Sequence, residues 1–201
     1  MRLKGPFRKL FGMSKRDHGH HVAPSLEFAV PFVHQNHVNL CGDASVEMLV
    51  RYHGRHTDVS KVKQNDGSSA SYRLRRNPRG VFDGSNEHDL KGMIEAAGLY
   101  GWRFCPRVGK WTAELVRLAL DTYGPYAQCV RFSIAEHWVV VKGTDGSSVI
   151  YNDPWRGANM SKTMDDWVIA AADYAGSAVA ATPVSNIDHP SKMQVQELSN
   201  Q

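Results

Sequence analysis

The clearest hydrophobic pattern in this chain begins at Cys41. Apolar or small residues recur at the three- and four-residue spacing of one helix face, at Cys41, Ala44, Ser45, Met48, Leu49 and Tyr52. Charged residues occupy the opposite face, at Asp43, Glu47 and Arg51. Glycine is favoured just after a helix ends, because it adopts a left-handed backbone conformation at little cost. The pattern therefore predicts an amphipathic helix from Cys41 to Tyr52, which Gly54 terminates.

Further helical stripes precede a run of short strands. Helices are predicted over residues 86–98, with Asn86 as N-cap, over 112–123 and near 163–172. Short apolar runs predict strands at 102–108, 126–132, 137–143, 148–152 and 177–181, after an extended entry segment at 26–33. Because most helices come first and most antiparallel strands second, the order predicts an α+β fold. In it a helical half packs on an antiparallel sheet.

The domain organisation follows from length and composition. A length of 201 residues with 42% hydrophobic residues predicts one globular domain, assigned here to residues 26–185. Residues 1–25 are basic and residues 186–201 are polar, so they are predicted to form a flexible arm and a disordered tail. The polar segment 55–85 is predicted to contain a short helix and a long loop. No apolar run reaches the roughly 18 residues that span a bilayer, so no membrane span is predicted.

Charge and cysteine content limit the expected partners. The formal net charge is +4, but no nucleic-acid-binding motif accompanies the basic residues, so solvated surface is the preferred interpretation and no nucleic-acid partner is predicted. Three widely spaced cysteines do not form a disulfide framework, which indicates a reducing compartment. The basic arm also lacks the apolar core of a signal peptide.

Cys41 stands at the predicted start of a helix, a position that suits a cysteine nucleophile. Such a nucleophile works as a thiolate, and the unpaired backbone N–H groups of a helix N-terminus favour negative charge. Gln35, in the preceding loop, could donate its side-chain amide to an oxyanion formed beside the sulfur. Both residues also have an ordinary interpretation. Cys41 could be a core cysteine, and Gln35 could be a solvent-facing loop residue. Cys105 and Cys129 fall in strand-like segments and are expected to be buried.

A predicted hairpin supplies a base and a carboxylate. Asp145-Gly146 is a strong turn signal between two apolar runs. When the chain folds about this turn, His137 and Asp153 come opposite each other on neighbouring strands, to within about one residue. As cross-strand neighbours, their Cβ atoms should be roughly 5 Å apart. Asn152 should then point to the opposite face, because side chains alternate along a strand. Each member of the pair also has an ordinary interpretation. His137 could be a hydrogen-bonded histidine at a strand end, and Asp153 could simply begin a turn.

Together these residues supply every role of an activated-thiol reaction. The segment QNHVNLCGDASVEMLVRYHG resembles the nucleophile motif of bacterial papain-like cysteine peptidases, particularly bacteriocin-processing peptidase domains and papain-like effector proteases of plant-associated bacteria. The segments GPYA, HWVVVKGTDG and YNDPWRG resemble their second half. The resemblance covers about residues 30–170. It implies the papain-like fold, with Cys41 as nucleophile, His137 as general base, Asp153 as the residue that orients the histidine, and Gln35 in the oxyanion hole.

Two departures refine the resemblance. Gly42 follows the nucleophile where plant papains have tryptophan, which points to the bacterial branch. Bacteriocin-processing peptidases usually precede transporter membrane segments, and the sequence contains none, so a stand-alone thiol protease is expected. Its expected location is the cytoplasm, or outside the cell after export as an effector by a specialised bacterial secretion system. Its expected partner is a protein or peptide substrate, with a host-cell protein as one possible target.

Other chemistries stay open on the sequence alone. The same Cys-His-Asp geometry can attack a glutamine side chain, so a glutamine deamidase or transglutaminase toxin is the close alternative. A peptidoglycan amidase and a catalytically inactive interaction domain are further ones. A non-enzymatic zinc-binding module could use closely spaced ligands, either His34, His37 and Cys41 or His53 and His56. The preferred interpretation needs neither a cofactor nor a metal.

Overall fold

The structure is a computed structural model that describes residues 25–36, 38–56, 85–104, 111–132, 135–172 and 177–186. Several predicted features lie outside the described residues. They are the basic arm up to residue 24, most of the polar segment 55–85, the end of the strand predicted at 102–108 with Cys105, and nearly all of the predicted tail.

The described helices lie where the sequence predicts them: α1 Cys41–Tyr52, α2 Glu87–Ala96, α3 Ala113–Tyr123 and α4 Met164–Ala172. Their ends are set by local capping. The Asn86 side chain accepts hydrogen bonds from the backbone N–H groups of His88 at 2.9 Å and Asp89 at 3.1 Å, and so begins α2. Gly54, with a φ of 66°, follows the end of α1 as predicted. Within the described residues, no helix is long and apolar enough to cross a membrane.

Seven described strands form one antiparallel sheet: β1 Leu26–Glu27, β2 Leu99–Phe104, β3 Tyr126–Arg131, β4 Glu136–Thr144, β5 Ser148–Asp153, β6 Gly157–Thr163 and β7 Ala178–Pro183. Their order is β2-β7-β3-β4-β5-β6, and β1 pairs with the end of β4. The sequence analysis missed β6. Its sequence, GANMSKT, is mostly polar and mostly exposed at the edge of the sheet, so no apolar face marks it as a strand.

Helices cover both faces of this sheet. On one face α1 and α2 pack through residues such as Leu49 against Val140, and on the other α3 and α4 pack through Leu120 and Trp167 against Val139. The adjacent residues Val139 and Val140 enter different cores because side chains alternate along a strand. The predicted α+β class is confirmed. The structure adds that helices bury both faces of the sheet. Among the described helices, α1, which carries the predicted nucleophile, and α2 cover one face, and α3 and α4 cover the other.

Candidate active site

Cys41 is the first residue of α1, as predicted, and its side chain is 8% exposed. The turn before it contains Asn39 with a φ of 71°, a left-handed conformation that asparagine adopts more readily than most residues. Immediately after it, a Cβ added to Gly42 would lie 2.9 Å from the Cβ of Ser85. No side chain fits there without movement. This close approach explains the glycine at the position where plant papains have tryptophan.

The hairpin between β4 and β5 carries the predicted base and its carboxylate, and its turn differs from the predicted one. The backbone N–H of Asp145 donates to the carbonyl of Ser148 at 3.3 Å. Gly146 and Ser147 are therefore the central turn residues, one position later than predicted. Gly146 has a φ of 87°, and glycine with positive φ at the first central position is the arrangement of a type II′ hairpin turn.

The strand pairing also corrects the predicted register. Val140 lies opposite Asn152, and a bulge separates this pairing from the one nearer the turn. Asp153 is therefore level with Val139, and His137 is its diagonal neighbour on the same face. Diagonal neighbours lie about 7–8 Å apart, which is still within reach of a long side chain. The contact forms: His137 Nε2 lies 2.7 Å from Asp153 Oδ1.

One oxygen of Asp153 organises the site. The residue is fully buried, and its Oδ1 contacts the His137 ring and accepts hydrogen bonds from the backbone N–H groups of Trp155 at 2.9 Å and Arg156 at 3.1 Å. Burial by itself would raise the pKa of Asp153, but the hydrogen bond to His137, its positive charge and the two backbone donors lower it. Asp153 is therefore a carboxylate at neutral pH, and the turn holds it in place.

His137 lies between Asp153 and Cys41. Burial by itself would lower the pKa of His137, but hydrogen bonds to Asp153 and Cys41, together with the negative charges of both, raise it to about 9. The ring is thus protonated at neutral pH when Cys41 is a thiolate. Because Nε2 is committed to Asp153, Nδ1 is the ring nitrogen that faces the sulfur.

Gln35 lies beside the same groups. Its backbone N–H donates to the carbonyl of Pro154 at 2.9 Å, which ties the loop before α1 to the turn after β5. The residue is only 5% exposed, so the interpretation as a solvent-facing loop glutamine is wrong. Gln35 lines one pocket together with Cys41 and His137. The structure therefore brings all four predicted site residues to one place.

The pocket is a cavity of about 310 Å³ that opens to solvent. Its lining includes side chains that the sequence analysis did not assign, among them Val38, Asn39, Phe132, Glu136, Trp155 and Arg156. Trp155 and Arg156 directly follow the Asp-Pro pair and could have been found from that position. Val38 and Phe132 carry no such signal, because they reach the pocket only through the packing of distant segments.

Two further polar side chains of the hairpin, Asn152 and Asp145, lie elsewhere, and Asn152 does so because side chains alternate along a strand. Asn152 is buried on the opposite face, where its Nδ2 donates to the carbonyl of Val30 at 3.3 Å and its Oδ1 accepts from the N–H of Asn159 at 3.0 Å. Asp145 lies at the hairpin tip, where its Oδ1 accepts from the N–H of Ser147 at 2.9 Å. Both side chains serve local structure.

Exposure does not distinguish Cys41 from Cys129. Cys129 is 7% exposed, which confirms its predicted burial, but Cys41 is 8% exposed and thus equally buried. The chemical environments differ instead. Burial, with a smaller contribution from nearby negative charge, raises the pKa of Cys129 to about 12. Cys129 is therefore a neutral thiol at physiological pH, whereas Cys41 has a protonated histidine as its partner.

The zinc-binding alternative gains no support from the histidines that the structure describes. His53 Nε2 lies 2.7 Å from the carbonyl oxygen of Ala181, so its ring serves the fold. The His34 ring stacks on Trp155 with ring centroids 6.4 Å apart. In the described part of the chain, no three side chains of the metal-ligating types lie close enough to hold an ion. His37 lies outside the described residues.

Comparison with protein families decides the class. Residues 27–178 match the family model described as "Peptidase_C39 like family". The chain belongs to this family. It is therefore a hydrolase, a papain-like cysteine peptidase of the bacterial type, as the motif resemblance predicted. No curated protein matches the sequence of this C39-like peptidase.

Solved peptidase structures share the fold of this C39-like peptidase. A double glycine motif protease from an AMS/PCAT transporter, solved with its leader peptide, is 22% identical with a TM-score of 0.56, and the match covers 79% of this chain and 94% of that one. A C39-like peptidase from Bacillus anthracis is 17% identical with a TM-score of 0.59, over 80% and 98% of the two chains. The peptidase domain of Streptococcus ComA, a bifunctional ABC transporter, is 16% identical with a TM-score of 0.55, over 75% and 96%.

Proposed function

We propose that this C39-like peptidase is an endopeptidase that hydrolyses peptide bonds through an acyl-thioester intermediate. The observation that carries the proposal is the 2.7 Å contact between His137 Nε2 and Asp153 Oδ1, in a site whose pocket also contains Cys41 and Gln35. This contact fixes the ring so that Nδ1 faces the sulfur. We assign Cys41 as nucleophile, His137 as acid and base, Asp153 as the orienting carboxylate and Gln35 as an oxyanion donor.

Acylation begins when Cys41, as a thiolate, meets the substrate beside protonated His137. The Cys41 thiolate attacks the carbonyl carbon of the scissile bond, and the π electrons of the carbonyl move to its oxygen. The Gln35 amide donates a hydrogen bond to that oxyanion. His137, whose pKa of about 9 keeps it protonated, gives its Nδ1 proton to the leaving amine as the C–N bond breaks. The products of this half-reaction are a free amine and an acyl thioester on Cys41.

In deacylation His137 acts first as a base, and the Cys41 sulfur is the leaving group. Neutral His137 takes a proton from a water molecule, whose oxygen attacks the thioester carbonyl. The C–S bond then breaks, and the thiolate leaves beside a newly protonated ring. Asp153 stays a carboxylate throughout, because the backbone N–H groups of Trp155 and Arg156 hold its charge.

A peptide or protein chain is the proposed substrate. The open pocket has exposed apolar side chains at its edge, at Val38 and Trp155, against which an extended chain could pack. The AMS/PCAT relative was solved with a leader peptide, and this supports a peptide substrate for the present chain. The effector role and the host-cell protein target that the motif resemblance suggested stay predictions.

Proteome-wide mapping of new N-termini tests the proposal. Extracts of bacterial and of host cells are incubated with the wild type, with Cys41→Ala and with Cys129→Ala as a matched cysteine control. We expect new N-termini with the wild type and the Cys129 variant, and none with Cys41→Ala. Deamidated glutamines without new termini would replace the proposal by the deamidase alternative. Cleavage confined to host proteins would support the effector prediction.

A further inference from the structure

We propose that Arg156 and Lys162 form a cationic subsite that selects substrates with an acidic side chain close to the scissile bond. The inference rests on the proposed endopeptidase function and adds the substrate class. The starting observation is the ring of Phe132. Among the described residues, it is the only aromatic ring of the pocket lining that has two cationic side chains against it.

Phe132 brings the two cations to the wall of the active-site pocket. The guanidinium carbon of Arg156 lies 5.7 Å from the centroid of its ring, and the Nζ of Lys162 lies 5.2 Å from it. Both distances are within the range of a cation–π interaction. The ring and Arg156 line the same pocket as Cys41. The aromatic ring therefore limits the freedom of both side chains and holds positive charge at the wall of the pocket that contains the reacting sulfur.

The positive charge of this wall is incompletely neutralised. Among the described residues, the one carboxylate within ion-pair distance of Arg156 is Asp153, with Nε and Oδ2 3.8 Å apart. That carboxylate also contacts His137 through its other oxygen, so its single negative charge is shared between two cationic side chains. Lys162 has no carboxylate partner in the described part of the chain. The Arg156 side chain is also 51% exposed, so its donors are accessible to a substrate.

The remaining acidic side chain of the pocket does not cancel this charge. Glu136 pairs with Arg131 at 3.8 Å, on the strands that lead into and out of the β3–β4 connection. The planar guanidinium of Arg156 can bind a carboxylate through two parallel hydrogen bonds, and its stacking on the ring reduces the ordering cost of doing so. Arg156 lines the same pocket as Cys41, so the selected acid lies close to the scissile bond of the bound chain.

A pair of alkylating reagents tests the charge of the subsite without a substrate. Iodoacetate and iodoacetamide react with a thiolate by the same displacement and differ in charge. Positive charge near Cys41 attracts the anionic iodoacetate, so the rate constant of iodoacetate divided by that of iodoacetamide reports this charge. In Arg156→Gln/Lys162→Gln that ratio should fall about fivefold at low ionic strength. Arg117→Gln, which removes a charge from the surface of α3, should leave the ratio unchanged. An equal ratio in the double variant and the wild type would overturn the subsite.

A peptide library tests its specificity. We expect wild-type cleavage sites to be enriched in Asp or Glu at one position, and an Asp→Asn change there to lower kcat/KM about tenfold. Arg156→Glu/Lys162→Glu should shift the preference to Lys or Arg. Wild-type cleavage without an acidic preference would refute the subsite and leave the endopeptidase function standing. A wild type that cleaves no peptide and whose Cys41 resists both reagents would overturn the function and the subsite together.

Discussion

Replacing Asp153 by asparagine separates the charge of the orienting residue from its geometry. The hydrogen bonds of this carboxylate converge on Oδ1, from the His137 ring and from the backbone N–H groups of Trp155 and Arg156. The carbonyl oxygen of an asparagine can occupy the same position and accept the same bonds. The turn and the ring orientation should therefore be kept, and the negative charge beside His137 is lost.

The structure sets the size of the expected effect. The pKa of His137 is raised from 6.5 to about 9 against the opposing effect of burial, and the hydrogen bond to Asp153 is foremost among the causes that raise it. A carboxylate at this distance typically shifts the pKa of a neighbouring base by about 1–3 units. We expect Asp153→Asn to lower the pKa of His137 to about 6–8. Less of the ring is then protonated at neutral pH, so the alkaline limit of kcat/KM moves to lower pH by the same amount.

Nuclear magnetic resonance titration of carbon-13-labelled histidine measures this pKa directly, and the missing signal in His137→Ala assigns the resonance. Asp145→Asn is the matched control, because it removes the same charge from the hairpin tip. The pKa of His137 should be unchanged in that control. A wild-type value near that of a free histidine, or a value near 9 that persists in Asp153→Asn, would refute the electrostatic account of the site.

Gln35→Ala should slow acylation by about 10²-fold or more without unfolding the protein, as loss of an oxyanion donor does; a normal rate of acyl-enzyme formation would leave Gln35 a packing residue. Iodoacetamide at neutral pH should modify Cys41 and spare Cys129, whose pKa is about 12; equal labelling in a peptide map would contradict this. Asn152→Ala should lower the free energy of unfolding by about 1–3 kcal/mol, because it removes the buried hydrogen bond to the Val30 carbonyl and the one from the Asn159 N–H. Denaturant titration measures that loss, and the rate should fall less than in Asp153→Ala.

The sequence by itself determined most of the local elements and predicted the residues that the fold brings together in the candidate site. Helix α1 begins at Cys41 and ends before Gly54 because amphipathic spacing and a left-handed glycine act within a few residues of one another. The same holds for the cap at Asn86. The order of Cys41, His137 and Asp153 along the chain, in recognisable motifs, was enough to indicate the papain-like class that the family match confirms.

Tertiary structure alone decided how those residues meet and what surrounds them. The bulge and the shifted turn make Asp153 a diagonal neighbour of His137, and the apolar runs of the two strands mark neither the bulge nor the central residues of the turn. Cys41 and Cys129 have nearly the same exposed fraction, and only the fold places His137 against the first sulfur and buries the second where its pKa is raised. The cations around Phe132 likewise come from separate segments. Burial, register and electrostatic environment depend on distances between residues far apart in the chain, and only the folded chain sets those distances.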